Sequence, residues 1–323
     1  MTFPTDLARE DLLHVPWSDP AFGYVVGLLL VLLLATAIGL AVVTSRGRGG
    51  ASPRTLWARW LTWAVLAPTF ALVVFSGLVP VAILLGLFAL QGTREWGALT
   101  DLAPMHRRML AAYSIVAVGL AIFGAAALLA TIPLLLLVAM LLPVAAADTS
   151  RGIRDLAYGA LGFAYLPLLL SFGVLMVRDI PDGAVLLFMT GVAVSASDIG
   201  AYIAGKTIGR RRLAPRLSPN KTIGGLLGNL LGPLLAIVVL LPALPAVTPA
   251  WIVLIGIVIA VGAVWGDLFT SALKREVGVK DAGDLLPGFG GLLDRIDSFV
   301  LAVPLVYYTT GVASLLGVTA ATR

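Results

Sequence analysis

The chain of 323 residues contains no cysteine and only two histidines, His14 and His106. The lack of cysteine excludes disulfides, thiolate nucleophiles and cysteine-bound metals, and two histidines argue against a multi-histidine metal centre. Charge is also scarce, because 12% of the residues are charged where soluble domains have about 25%. Hydrophobic residues make up 59% of the chain, and the mean hydropathy is +1.01. This composition predicts a polytopic membrane protein.

Ten continuous apolar runs approach the roughly 20 residues that a membrane-spanning helix needs. They do not alternate between polar and apolar residues as the strands of a membrane barrel do, so the predicted fold class is all-α. The third run is short, and the second and third are also compatible with one broken or re-entrant unit, so we predict nine or ten transmembrane helices. The runs are 22–43, 60–76, 77–91, 109–130, 131–147, 156–177, 183–205, 225–245, 250–272 and 298–320.

The distribution of Lys and Arg predicts the orientation of these spans. With ten spans and the N-terminus outside, nineteen of the 22 Lys and Arg residues fall on one side, which we predict to face the cytoplasm from the inner (plasma) membrane. The basic residues are scattered among spans rather than gathered on a soluble domain, so no nucleic-acid partner is expected. The first residues contain several acidic side chains and no basic segment, so we expect the first span to remain as an anchor.

The polar residues of the C-terminal half concentrate in two stretches on this basic side, 206–224 and 273–297. We therefore divide the chain into N-terminal transmembrane helices, 1–180, and a C-terminal transmembrane catalytic region, 181–323.

The first candidate residues lie at the end of the seventh span and in the loop that follows. Asp198 and Tyr202 are four residues apart and share one helix face, and an aspartate inside a span is costly enough to suggest a function. The alternative is that Asp198 pairs with a nearby Arg or caps a broken helix. Ser218, Lys221 and Thr222 offer hydroxyl and ammonium donors at the start of the eighth span, which suit a phosphate.

The second candidate group begins at Asp267 and ends at the head of the last span. Asp294 and Asp297 are three residues apart on one helical face, and two carboxylates of this kind suit Mg²⁺, with Asp267 able to complete the site. Nearby cations would neutralise phosphate oxygens, and a Pro-Gly-x-Gly-Gly turn would let the backbone approach a ligand. A charge network that anchors the helices to lipid headgroups is the alternative. The cations are Lys274, Arg275, Lys280 and Arg295, and the turn supplies Gly288, Gly290 and Gly291.

This segment resembles the signature of the phosphatidate cytidylyltransferases. That signature reads Ser-x-Leu-Lys-Arg, four residues, Lys-Asp-x-Gly, two residues, an aliphatic residue, Pro-Gly-His-Gly-Gly, two residues and Asp-Arg-x-Asp. The chain matches it in register from Ser271 to Asp297, with Asp281 in the Lys-Asp pair, and the stretches around Asp198 and Asp267 are also similar. The resemblance is detailed over roughly residues 190–310, whereas the first 180 residues match only as apolar spans.

Two positions depart from the family pattern. Phe289 replaces the histidine of Pro-Gly-His-Gly-Gly, and Gly224 replaces the glutamate of Lys-Thr-Trp-Glu-Gly. Phenylalanine cannot exchange a proton or form a hydrogen bond as imidazole does, and glycine removes a carboxylate.

The resemblance implies conversion of CTP and phosphatidate to CDP-diacylglycerol and pyrophosphate for phospholipid biosynthesis. It also implies Mg²⁺, with a second cation left open, and a homodimer in the lipid bilayer. The implied catalytic residues are Asp267, Lys274, Arg275, Lys280, Asp281, Asp294, Arg295 and Asp297. Three alternatives stay open: a paralogue that acts on another lipid phosphate or nucleotide, a non-catalytic homologue, and a transporter for an anionic solute.

Overall fold

The computed structural model describes residues 12–46, 52–145, 150–244, 246–283, 285 and 290–315. It confirms an all-α architecture in which two short strands form the one described sheet. The elements are α1 (Pro20–Ser45), α2 (Pro53–Val74), α3 (Leu78–Leu99), α4 (Pro104–Ala121), α5 (Ala125–Leu129), α6 (Thr131–Ala145), α7 (Gly152–Phe163), α8 (Leu169–Asp179), α9 (Gly183–Thr207), β1 (Arg212–Ala214), β2 (Ser218–Thr222), α10 (Ile223–Leu240), α11 (Pro249–Glu276) and α12 (Leu293–Leu315).

Eight helical segments in the described part of the chain are long and apolar enough to cross a membrane. They are α1, α2, α3, the continuous pair α7–α8, α9, α10, α11 and α12, and a shorter apolar segment covers Ala125–Leu141. The chain is therefore an all-α polytopic membrane protein, while the count of nine or ten spans stays a prediction.

The second and third apolar runs form two separate helices. Gly77 lies between them with a φ of 105°, a value that glycine adopts without strain. Helix α3 then continues past its apolar run, which ends at Gln91, to Leu99, and this extension carries polar residues, including Glu95. This polar extension made the run appear short in the sequence.

Helices α7 and α8 are joined by a π-helical turn, Ala164–Leu168, that contains Pro167. Proline has no N–H to donate, so the regular hydrogen-bond ladder is interrupted there. Tyr165, in the same turn, donates from its hydroxyl to the carbonyl oxygen of Asp297 at 3.2 Å. The irregular turn thus contacts α12 beside the predicted site.

Close helix contacts bring the C-terminal elements together. A Cβ added at Gly266 of α11 would lie 2.2 Å from the carbonyl oxygen of Asp297, so α11 and α12 approach each other closely at the predicted site. Helices α9 and α10 are equally close where Gly200 faces Gly228. Such approach is typical of small residues between membrane helices.

The stretch predicted as a polar loop, 206–224, contains an antiparallel hairpin of β1 and β2 in which Arg212 pairs with Thr222. The Nε of Arg275 donates to the carbonyl oxygen of Leu217 at 3.4 Å and connects the hairpin to the end of α11. Thr222 then caps α10, because its Oγ1 accepts from the Gly225 amide at 3.0 Å.

Candidate active site

Residues that the sequence places in separate clusters meet at one end of the bundle. Lys221 of β2 and Asp267 of α11 form an ion pair, with 2.5 Å between Nζ and Oδ2. Ser271 lies one helical turn beyond Asp267 and donates from Oγ to its Oδ1 at 3.4 Å. The hairpin and the end of α11 therefore belong to a single site.

Three carboxylates lie within electrostatic range of one another at this site: Asp198 of α9, Asp267 of α11 and Asp297 of α12. Lys221 and Arg295 interact electrostatically with Asp198. Asp297 is buried, and it accepts from Thr270 Oγ1 at 2.8 Å and from the Ser298 amide at 2.7 Å. Asp198 therefore lies near the carboxylates predicted to bind metal.

Asp294 has different neighbours from Asp297. Its Oδ1 lies 2.5 Å from Nζ of Lys274, and both side chains are largely buried. Its Oδ2 accepts from the amides of Ala282 at 2.8 Å and Gly291 at 3.3 Å. Oδ1 of Asp294 therefore binds α11, and Oδ2 holds the loop that precedes α12.

The carboxylates present fit a magnesium site of the usual kind. Within the described residues, no group of three or more Asp, Glu or His side chains is arranged closely enough to hold a metal by itself. Mg²⁺ in phosphoryl-transfer sites needs only one or two carboxylates, since substrate phosphates and water complete its shell. Asp267 and Asp297, with Asp198 in range, can supply these, although a metal would compete with Lys221 for Asp267 and with Lys274 for Asp294.

A residue not predicted from the sequence, Glu95 at the end of α3, contacts the signature loop, a name used here for the described residues 277–283 and 290–292 between α11 and α12. Its Oε1 accepts from the Leu292 amide at 2.9 Å, and its Oε2 accepts from the Leu293 amide at 2.8 Å. Only 6% of the residue is exposed. An ionisable residue late in an apolar segment was the available signal, but nothing in the sequence linked it to the loop.

Two of the three predicted turn glycines can be placed. Gly290 has a φ of 83°, which favours glycine. A Cβ on Gly291 would lie 2.6 Å from Oε2 of Glu95 and 2.8 Å from the Gly283 amide, so packing against protein explains this glycine. Gly288 lies outside the described residues, as do Leu286, Pro287 and Phe289.

The remaining predicted residues lie around this centre. Lys280, Asp281 and Arg295 are exposed at the loop and at the start of α12, and Arg275 also donates to the carbonyl oxygen of Val279 at 3.2 Å. Tyr202 accepts from Lys206 Nζ at 2.5 Å on the exposed side of α9, and Ser218 begins β2.

Residues 57–313 match the model of the cytidylyltransferase family, which is most of the chain. The chain belongs to the cytidylyltransferase family. This match includes α3 and Glu95, as well as the C-terminal elements that carry the signature.

Several curated proteins are similar to parts of the chain. The phosphatidate cytidylyltransferase of Synechocystis is 44% identical over 134 residues, which are 41% of this chain and 45% of the relative. The uncharacterized protein YnbB of Escherichia coli is 39% identical over 135 residues, 42% of this chain and 45% of the relative. The phosphatidate cytidylyltransferase of Pseudomonas aeruginosa is 33% identical over 229 residues, 69% and 84% of the two chains. The chain thus spans about half the length of the first two relatives and most of the third.

Proposed function

We propose that this cytidylyltransferase transfers the cytidylyl group of CTP to phosphatidate, giving CDP-diacylglycerol and pyrophosphate. The observation that carries the proposal is the meeting of Lys221, Asp267 and Asp297 at one end of the bundle, beside a signature that matches the phosphatidate cytidylyltransferases. The names of two similar proteins give the same activity.

The exposed cations suit the phosphates of the two substrates. Arg275 and Arg295 lie at the two ends of the loop before α12 and Lys280 lies within it, and guanidinium groups bind phosphate oxygens in bidentate fashion. Lys221 already lies against a carboxylate, so it is placed to exchange that partner for a phosphate when substrate enters. We assign Ser218, Thr222 and the turn glycines to the same substrate-binding region, with Asp198 and Tyr202 along its wall.

The reaction requires little proton transfer by the protein. The second pKa of a phosphate monoester is about 6, so the phosphatidate oxygen is largely ionised at neutral pH without a base. That oxygen attacks the α-phosphorus of CTP, and the bond between the α-phosphorus and the bridging oxygen breaks as pyrophosphate leaves. Positioning and charge neutralisation therefore supply most of the catalysis, which makes phenylalanine at position 289 tolerable.

Magnesium is the cofactor that we propose for this reaction. Asp267 and Asp297 would hold it, with Asp198 and Asp294 as further candidates. When bound, Mg²⁺ neutralises the triphosphate and the charge that develops on the leaving pyrophosphate. Thr270 and the Ser298 amide orient Asp297 in advance, so this carboxylate needs little rearrangement.

The distribution of basic residues supports a proposal for the setting of the reaction. We propose that the site faces the cytoplasm from the inner membrane of the cell, where basic loops attract anionic lipid headgroups. The product would serve phospholipid synthesis, and a homodimer is the assembly that the resemblance implies. We propose 181–323 as the catalytic region, and Glu95, from the N-terminal helices, contacts its signature loop.

Turnover of α-labelled CTP tests the proposal. The purified full-length chain is incubated in detergent with phosphatidate and Mg²⁺, beside an Asp267→Asn variant. We expect labelled lipid from the native chain and at least about 100-fold less from the variant, as for other lost electrostatic contacts in active sites. Binding of CTP without labelled lipid would favour a non-catalytic homologue or another acceptor, and absence of CTP binding would contradict the proposal.

A further inference from the structure

We propose that Glu95 is a positioning residue for the reaction, holding the signature loop and the first turn of α12 in their active arrangement. This inference rests on the proposed function for its kinetic consequences, although its structural part can be tested without turnover. Glu95 lies in α3, far in sequence from the residues that it contacts.

The hydrogen bonds of Glu95 account for both of its carboxylate oxygens. Besides the Leu292 and Leu293 amides, Nε2 of Gln91 donates to Oε1 at 2.8 Å. The first amides of a helix have no intrahelical acceptor, and a negative charge at that end is stabilised by the helix dipole. The carboxylate of Glu95 therefore caps α12 from another helix, and these two amides are already used when substrate phosphates arrive.

Two glycines of the signature loop pack closely against the side chain of Glu95. The three atoms nearest to a Cβ on Gly283 would all belong to Glu95, at 3.2 to 3.3 Å. A Cβ on Gly291 would lie 2.6 Å from Oε2 of Glu95. Both signature glycines thus leave room for the carboxylate, which gives them a role in packing as well as any role near the ligand.

The capped amides lie next to reacting parts of the site. Leu293 immediately precedes Asp294, which pairs with Lys274, and Asp297 follows one helical turn later. Any shift in the first turn of α12 must therefore move both carboxylates relative to Asp267. Misplacement of reacting groups by about 1 Å costs on the order of 100-fold in rate.

The kinetic experiment compares Glu95→Ala and Glu95→Gln with the native chain. We expect kcat to fall about 100-fold in Glu95→Ala, while labelled CTP still binds. The fall in Glu95→Gln should be smaller, because its amide oxygen retains one acceptor. Asp179→Asn is the matched control, since Asp179 is another buried carboxylate, bonded to Tyr307 at 2.8 Å and remote from the signature loop. The Asp179→Asn variant should have a lower thermal midpoint but an unchanged kcat per folded molecule.

Amide hydrogen exchange tests the positioning independently of activity. In Glu95→Ala, exchange at Leu292 and Leu293 should accelerate about tenfold or more because both amides lose their acceptor, with little change in α9 and α10.

A second variant, Gly283→Ala, tests the packing of the loop against Glu95. It should slow turnover in the native background and have a smaller effect in Glu95→Ala, where the obstructing atoms are gone. Unchanged exchange at both amides, or native kcat in Glu95→Ala, would overturn the inference. A native chain that lacks turnover but shows the exchange change would refute only the proposed reaction.

Discussion

Nζ of Lys221 lies 2.5 Å from Oδ2 of Asp267, and this pair joins the β hairpin to the end of α11. About a quarter of the Lys221 side chain and a third of the Asp267 side chain remain exposed, so both groups are accessible to a ligand. The ammonium therefore occupies one oxygen of a carboxylate that we propose for metal binding. Metal and lysine are expected to compete for Asp267.

Replacing Lys221 by methionine should separate metal affinity from turnover. In Lys221→Met, Asp267 loses its competing cation, so Mn²⁺ binding without nucleotide, measured by electron paramagnetic resonance, should tighten severalfold. A partly exposed ion pair contributes about 1 kcal/mol, which limits the gain to less than about tenfold. Turnover should nevertheless fall, because a phosphate contact is lost.

Lys221→Arg is the control for this change, because it keeps the charge and should keep metal affinity near the native value. Weaker Mn²⁺ binding in Lys221→Met than in the native chain would contradict the competition.

The general architecture could be predicted from the sequence because spanning helices leave long apolar runs. The described helices occur where those runs are, and the family assignment from the signature is confirmed by the family match. The end of α3 could not be predicted in this way, since Gln91 and Glu95 interrupt its apolar character. The hairpin was also missed, because its arginines and prolines are typical of a loop.

Partners across the site were harder to predict than the site residues themselves. The spacing of Asp294 and Asp297 places them on one helical face. Spacing does not reveal that Asp294 binds Lys274, or that Asp297 binds Thr270. Likewise, nothing in the local sequence connects Asp198 with Asp267, because that proximity depends on how α9 and α11 pack.

The buried pair of Lys274 and Asp294 should contribute to stability as well as to the site. Their side chains are 12% and 5% exposed, so Lys274→Met leaves a largely buried carboxylate with only backbone donors. We expect a loss of about 3 kcal/mol in the free energy of unfolding, measured by SDS titration of the folded protein in detergent. Asp294→Asn should give a similar loss.

The double variant Lys274→Met/Asp294→Asn decides whether the two residues act as a pair. Its loss should be clearly smaller than the sum of the single losses, since no unpaired charge remains. Additive losses would show that Asp294 works mainly through other partners, such as a metal.

Replacing Tyr307 should lower the stability of the protein without changing its activity. Its hydroxyl donates to Oδ2 of buried Asp179 at 2.8 Å, while Arg178 pairs with Oδ1. Tyr307→Phe leaves one carboxylate oxygen without its donor, so we expect a loss of about 1–3 kcal/mol by the same SDS titration. The kcat and KM of the folded fraction should stay at the native values, and a change in either would mean that this network is coupled to the signature loop.

Replacing Gly224 by the glutamate of the family pattern should destabilise the protein without increasing turnover. A Cβ on Gly224 would lie 2.9 Å from both Gly209 Cα and the Ile208 carbonyl oxygen, so backbone must move to admit any side chain. Overpacking of this kind costs about 1–3 kcal/mol, and we expect both Gly224→Ala and Gly224→Glu to lower the thermal midpoint in detergent, with no gain in turnover. Gly159→Ala is the matched control, because a Cβ there has no neighbour within 4 Å. A Gly224→Glu variant with native stability and faster turnover would show that the 208–209 backbone yields, and that the missing carboxylate limits the native chain.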